Sequence, residues 1–170
     1  LDSLQAGTPL ARSVSVTSLT PLIDSSNATP LSWQAIVDDL RAHAAADPQT
    51  AFVILHGTDT MAYTSAALSY ALTDLNVPVV VTGSQLPLGK LGTDAAANVT
   101  GALKAATSGR LSGVALFFGH RLLAGNRVTK SSSWAFTGFE SPNAAPLATT
   151  GAPWQWAPST RGGAGWNDAA

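Results

Sequence analysis

Short uninterrupted apolar runs at positions 51–55, 77–82 and 114–118 alternate along the chain with longer stretches in which apolar residues recur every three or four positions. Runs of that length without polar alternation suit strands buried on both faces. Between them, residues 59–75 set Met61, Ala62, Ser65, Leu68, Ser69 and Leu72 on one small-to-apolar face. Residues 94–107 carry Ala95, Val99, Ala102, Leu103 and Ala106 at the helical period. An earlier helix starts from Thr29 as N-cap with Pro30 at its first position, presents Trp33, Ile36, Val37 and Leu40, and is closed by Asp47 and Pro48. Positions 14–19 alternate with Ser and Thr in the manner of a strand, which Pro21 and the polar cluster 24–27 break.

Strands and helices at this rhythm imply crossover units, so the predicted fold is α/β: a three-layer, open, mostly parallel sheet with helices on both faces. There is no internal repeat. Beyond Pro142 the pattern decays into prolines and glycines around Trp154, Trp156 and Trp166, which reads as a short terminal strand and a linker over 151–170. Three tryptophans there, without a visible surface to cover, predict that a packing partner is missing.

Composition narrows the ligand more than the fold. A chain of 170 residues with 45% hydrophobic content and a mean hydropathy of +0.17 supports one substantial core. Nine Lys and Arg against ten Asp and Glu, with no run of like charge, argue against nucleic acid or an anionic membrane surface, leaving a small molecule as the expected partner. With no cysteine there is neither a disulfide nor a thiolate chemistry. No apolar stretch reaches the ~20 residues that span a bilayer, and positions 1–10 lack the pattern of a signal peptide. The chain starts with Leu, as a processed protein or a fragment does.

Four polar clusters follow predicted strands: Asp24 with Ser25 and Ser26, Thr58 with Asp59, Ser84 with Gln85, and positions 126–130. Parallel strand ends converge on one edge of a sheet, where α/β proteins bind ligands. Singly, each cluster has a plain reading, as cap, turn or solvated surface. Together they favour chemistry. Asp59 suits a substrate ammonium and neighbouring N–H groups suit a carboxylate, so the site wants an amino acid. A Thr58 nucleophile needs a base, and Lys130 is the candidate, positioned by Asp59. His56 reads as structural, because it follows a buried strand and no Ser, His, Asp order is evident. No metal-ligand spacing and no nucleotide-binding glycine motif occurs.

These residues resemble the bacterial-type L-asparaginases, within them the cytoplasmic type I branch. The resemblance rests on PLIDSSNATP at 21–30, FVILHGTDTMAYTSAALSYAL at 52–72, PVVVTGSQLPL at 78–88, Thr93, Asp94 and Asn98, GNRVTK at 125–130 and FESPN at 139–143. It covers about residues 13 to 150. It implies hydrolysis of L-asparagine to L-aspartate and ammonia by threonine nucleophiles, without cofactor or metal, in a cytoplasmic homo-oligomer. Residue by residue, it implies a triad of Thr58, Asp59 and Lys130. Asp24 and Ser25 are expected to hold the substrate's carboxylate and amino groups, with Gly57 beside them. Gly83 and Ser84 are expected to lie against the side-chain amide.

The family's first strand ends in a TGGTI-like motif carrying another catalytic threonine, and no such motif occurs here; Thr8 precedes Pro9 rather than Gly. The chain also stops where the family's linker leads into a smaller C-terminal domain. The expectation is an N-terminal α/β domain over 1–150 lacking its first strand, with the C-terminal domain absent. Such a chain should have an unpaired central sheet edge, exposed apolar surface including Trp154 and Trp156, weak activity and a tendency to associate. Two other readings remain: the ammonia-releasing subunit of a tRNA-dependent amidotransferase, and a binding-only remnant.

Overall fold

A computed structural model describes residues 14–158 of the protein. Helix α1, Pro30–Ala46, starts where the sequence predicts, with Thr29 at the N-cap and its N–H donating to Ser32 Oγ at 3.1 Å. The alternation of strand and helix then unfolds as expected: β1 Phe52–Leu55, α2 Met61–Ala71, β2 Pro78–Thr82, α3 Ala95–Ala106 and β3 Gly113–Phe118. Strands β1, β2 and β3 run parallel, with Leu55 opposite Thr82 and Val81 opposite Leu116.

Beyond β3 the sheet changes character. Gly119 and His120, with φ of 52° and 72°, turn the chain straight into β4, Arg121–Ala124. A parallel return needs a crossover of a dozen residues or so, and two residues allow only an antiparallel hairpin. Strands β5, Thr129–Lys130, and β6, Phe139–Glu140, form a separate two-stranded sheet, while β7, Ala148–Thr149, and β8, Gln155–Trp156, complete the main one. Its order is β1-β2-β3-β4-β7-β8, with the pairings from β3 outward antiparallel. The α/β class and the three layers hold, and the mostly parallel sheet is corrected to a mixed one.

The pleat divides the core in two. Val79, Val81, Leu116 and Phe118 face α1 and α2, meeting Ile36, Leu40, Met61 and Leu68. Val80, Ala115 and Phe117 point to the other side, where Ala102, Ala105 and Ala106 of α3 cover them. Burying side chains of this kind completely contributes roughly 1.5–3 kcal/mol each.

Three expectations change. Positions 14–19 form no strand: alternation alone does not order a segment that finds no edge to pair with, and Val16 is 62% exposed. Strand β1 lies at the edge of the sheet, so Leu55 is 58% exposed and β1 is not buried on both faces. Trp154 and Trp156 are not left without a surface. Trp154 stacks on Phe117 at 5.6 Å between centroids, Trp156 packs against Trp154, and Lys104 and Arg110 lie over the two indoles at 5.1 and 5.2 Å. The terminal strand is present as β8. Thr8, Pro9, Trp166 and the linker beyond 158 lie outside the described residues. No described helix is long and apolar enough to cross a membrane.

Candidate active site

The parallel pairing of β1 with β2 delivers two of the predicted clusters side by side. His56 N–H donates to the Thr82 carbonyl at 2.8 Å, carrying the ladder one residue past the strands, so His56–Thr60 and Gly83–Ser84 leave the same edge. The chains approach so closely that a Cβ at position 83 would run into the His56 carbonyl and the Met61 side chain. Only glycine fits there.

Thr58 and Asp59 lie in the turn ahead of α2, whose N-cap is Thr60. Thr60 does not cap its own helix; its hydroxyl donates to the Ser25 carbonyl at 2.7 Å. That bond clamps the short 3-10 turn Ser25–Asn27 to the loop. Ser25 is buried against Gly57, where any Cβ would meet its hydroxyl. Asp24 caps the same turn, accepting from the backbone and hydroxyl of Ser26 at 3.0 and 2.9 Å. Those bonds, the backbone one first, hold its carboxyl below the usual range.

Lys130 arrives from the far side of the fold. Gly125 carries the chain across the small face of α2, close to Ser65 and Ser69, which turn their hydroxyls back onto their own helix. From β5, Lys130 Nζ donates to Thr58 Oγ1 at 3.0 Å and to Asp59 Oδ1 at 3.1 Å. The lysine side chain is 20% exposed and the Asp59 carboxylate 62%, so the ammonium is shielded while the acid keeps a face to solvent. A hydroxyl, an amine and a carboxylate thus meet in sequence at the edge of the sheet. The structure brings Thr58, Asp59 and Lys130 into contact, seats Ser25 against Gly57, and sets Gly83 on the next strand end.

His56 is engaged elsewhere. Its Nδ1 faces the Gly57 carbonyl at 2.7 Å and Nε2 meets Thr64 Oγ1 at 2.9 Å, while Trp33 Nε1 donates to that hydroxyl at 3.0 Å. A carbonyl only accepts, so the neutral ring carries its proton on Nδ1 and Nε2 accepts from Thr64. Burial pushes the imidazole below its ordinary 6.5.

A polar scaffold stands behind the site, of Thr60, Thr64, Asp94 and Asn98; the last two help carry the resemblance, but the sequence assigned none of the four a role. Asp94 and Asn98 sit four apart at a helix start, a spacing that marks two side chains on one face, yet nothing in it says which backbone they hold. Among the described residues, no group of three or more His, Cys, Asp or Glu is placed to hold a metal ion.

A family model described as "Asparaginase, N-terminal" matches residues 3–160. The chain is 51% identical over 132 residues to L-asparaginase 1 of Escherichia coli K12, covering 78% of this chain and 38% of that protein. It is 44% identical to the 60 kDa lysophospholipase of Mus musculus over 78% of this chain and 23% of that one. The crystal structure of L-asparaginase I from Vibrio cholerae superposes with a TM-score of 0.78 at 44% identity, over 86% of this chain and 43% of that chain. The chain thus spans less than half the length of these relatives. With a match of that extent, and on a fold that superposes on it, the chain belongs to the asparaginase family, within its N-terminal domain.

Proposed function

We propose that the protein to which this chain belongs hydrolyses the side-chain amide of L-asparagine to L-aspartate and ammonia. The observation that supports it most is the single amine of Lys130 shared between the Thr58 hydroxyl and the Asp59 carboxylate. In the proposed reaction, Thr58 Oγ1 attacks the amide carbon and its proton passes to Lys130 in the amine form. The tetrahedral adduct collapses as Lys130 returns that proton to the departing nitrogen, releasing ammonia and leaving an ester on Thr58. Water then hydrolyses the ester, giving the acid and restoring the hydroxyl. Asp59 holds the lysine in place, and its solvent-facing oxygen is available to a substrate ammonium. Asp24, Ser25 and Gly57 form the neighbouring wall for the α-amino and carboxylate groups, and Gly83 and Ser84 the wall for the amide.

No cofactor or metal enters this scheme. The 1–150 segment is proposed to be the N-terminal α/β domain of a longer cytoplasmic, homo-oligomeric enzyme whose remaining parts supply a second threonine and a C-terminal domain. The balanced charge, nine basic against ten acidic residues, weighs against a tRNA-bound amidotransferase subunit. The test is ammonia release by the full-length protein from asparagine, run beside calorimetric titration with L-aspartate. Release supports the hydrolase; binding of L-aspartate without release would identify a binding-only protein instead.

A further inference from the structure

The loop 83–86 is held from behind at every residue except the one that faces the proposed amide. Asn98, 3% exposed, donates through Nδ2 to the Gly83 carbonyl at 2.9 Å and to Asp94 Oδ2 at 3.0 Å, while its Oδ1 accepts from the Gly119 N–H at 3.2 Å. The Asp94 carboxylate accepts from the backbone N–H of Gln85 at 3.0 and 3.1 Å and of Leu86 at 3.0 Å. Thr93 Oγ1 donates to the Leu86 carbonyl at 2.8 Å, and Gln85 Nε2 donates to the Ala135 carbonyl at 3.0 Å. Ser84 makes no hydrogen bond among the described residues, through backbone or hydroxyl. Its polar groups are presented by a loop whose other residues are tied down.

We infer that Asp94 and Asn98 are positioning residues that set the place of Ser84 and thereby the length of side-chain amide the site accepts. This rests on the hydrolase reading above. A buried amide bonded to three partners has one orientation, so the Gly83 carbonyl and the peptide that follows it are fixed relative to α3. The bidentate carboxylate fixes the two N–H groups after Ser84 in the same way, charge-assisted and short. The peptide carbonyl and N–H of Ser84 lie between these two anchors with no freedom of their own. Glutamine is longer than asparagine by one methylene, and a rigid wall rejects it where a loosened one yields.

The test measures kcat and KM for both amides in the full-length protein and in Asn98→Leu, which keeps volume and removes the bonds. A lesion that only lowers the folded fraction cuts turnover of both amides equally and leaves their ratio intact. The expected result is a fall of about tenfold or more in kcat for asparagine, a smaller change in KM, and a fall of about tenfold in the ratio of kcat/KM for asparagine over glutamine. If Asn98→Leu does not fold, Asp94→Asn, at the partly exposed helix start, decides by the same ratio. An unchanged ratio in a folded variant overturns the inference. Absence of ammonia release by the unsubstituted protein from either amide would instead overturn the hydrolase reading.

Discussion

Lys130 Nζ meets a hydroxyl at 3.0 Å and a carboxylate at 3.1 Å, and each contact has its own consequence. In the proposed reaction the first lets the lysine carry the Thr58 proton, and the second holds the amine in place. Lys130→Met keeps the stem and removes the amine, so turnover by the full-length protein should fall by at least the ~10² typical of a lost general base, with L-aspartate still bound. Near-normal turnover would remove Lys130 from the mechanism. His56 gives a prediction about stability. Its folded-state pKa is depressed, so the unfolded chain takes up a proton near 6.5 before the folded one does. Stability should be full above that pH and decline below it, by at most about 1.4 kcal/mol for each pH unit from this group. Thermal unfolding between about pH 7 and pH 5 should show the decline, and His56→Asn should flatten it. An equal slope in both proteins would contradict the assignment. The meeting of Thr58, Asp59 and Lys130 was legible in the sequence, because strand ends dictate where the loops begin. The ties of Thr60 to Ser25 and Asn98 to Gly83 were not legible, since side chain to backbone bonds across the fold leave no periodic trace.

At the scale of elements, α1, α2, α3 and the three parallel strands follow from apolar period and capping, to within a few residues. What escaped was set by tertiary context. The residues 14–19 have strand-like alternation but no pairing edge, and β4 is too short, with a charged first residue, to stand out as an apolar run. The two tryptophans looked unpartnered because the surface they cover, α3 and Phe117, lies far away in sequence. That packing predicts an unusual glycine. Gly101 is inside α3, where alanine would ordinarily gain about 1 kcal/mol in helix propensity. Its Cβ would run into the Phe117 ring, which stacks on Trp154 and would have to shift. Overpacking of about 1–3 kcal/mol offsets that gain or exceeds it by up to about 2 kcal/mol, so Gly101→Ala is expected to lower Tm, by no more than about 8 °C. A higher Tm would show that the ring can move aside.

For the whole molecule, the edge position of β1 and the limited share of its relatives that the chain covers point the same way. Among the described residues nothing pairs with the outer edge of β1, and an open edge invites association. Residues 1–170 purified alone should therefore be oligomeric or aggregating by light scattering and should release ammonia far more slowly than about 1 s⁻¹. A monomeric, fully active chain would refute the proposed division of the enzyme. The most direct measurement compares ammonia release from L-asparagine by the full-length protein and by Thr58→Val. Turnover of about 1 s⁻¹ or more is expected for the first and a loss of at least ~10² for the second, with both folded. Equal turnover in the two proteins, or none in the unsubstituted one, would contradict the proposed reaction.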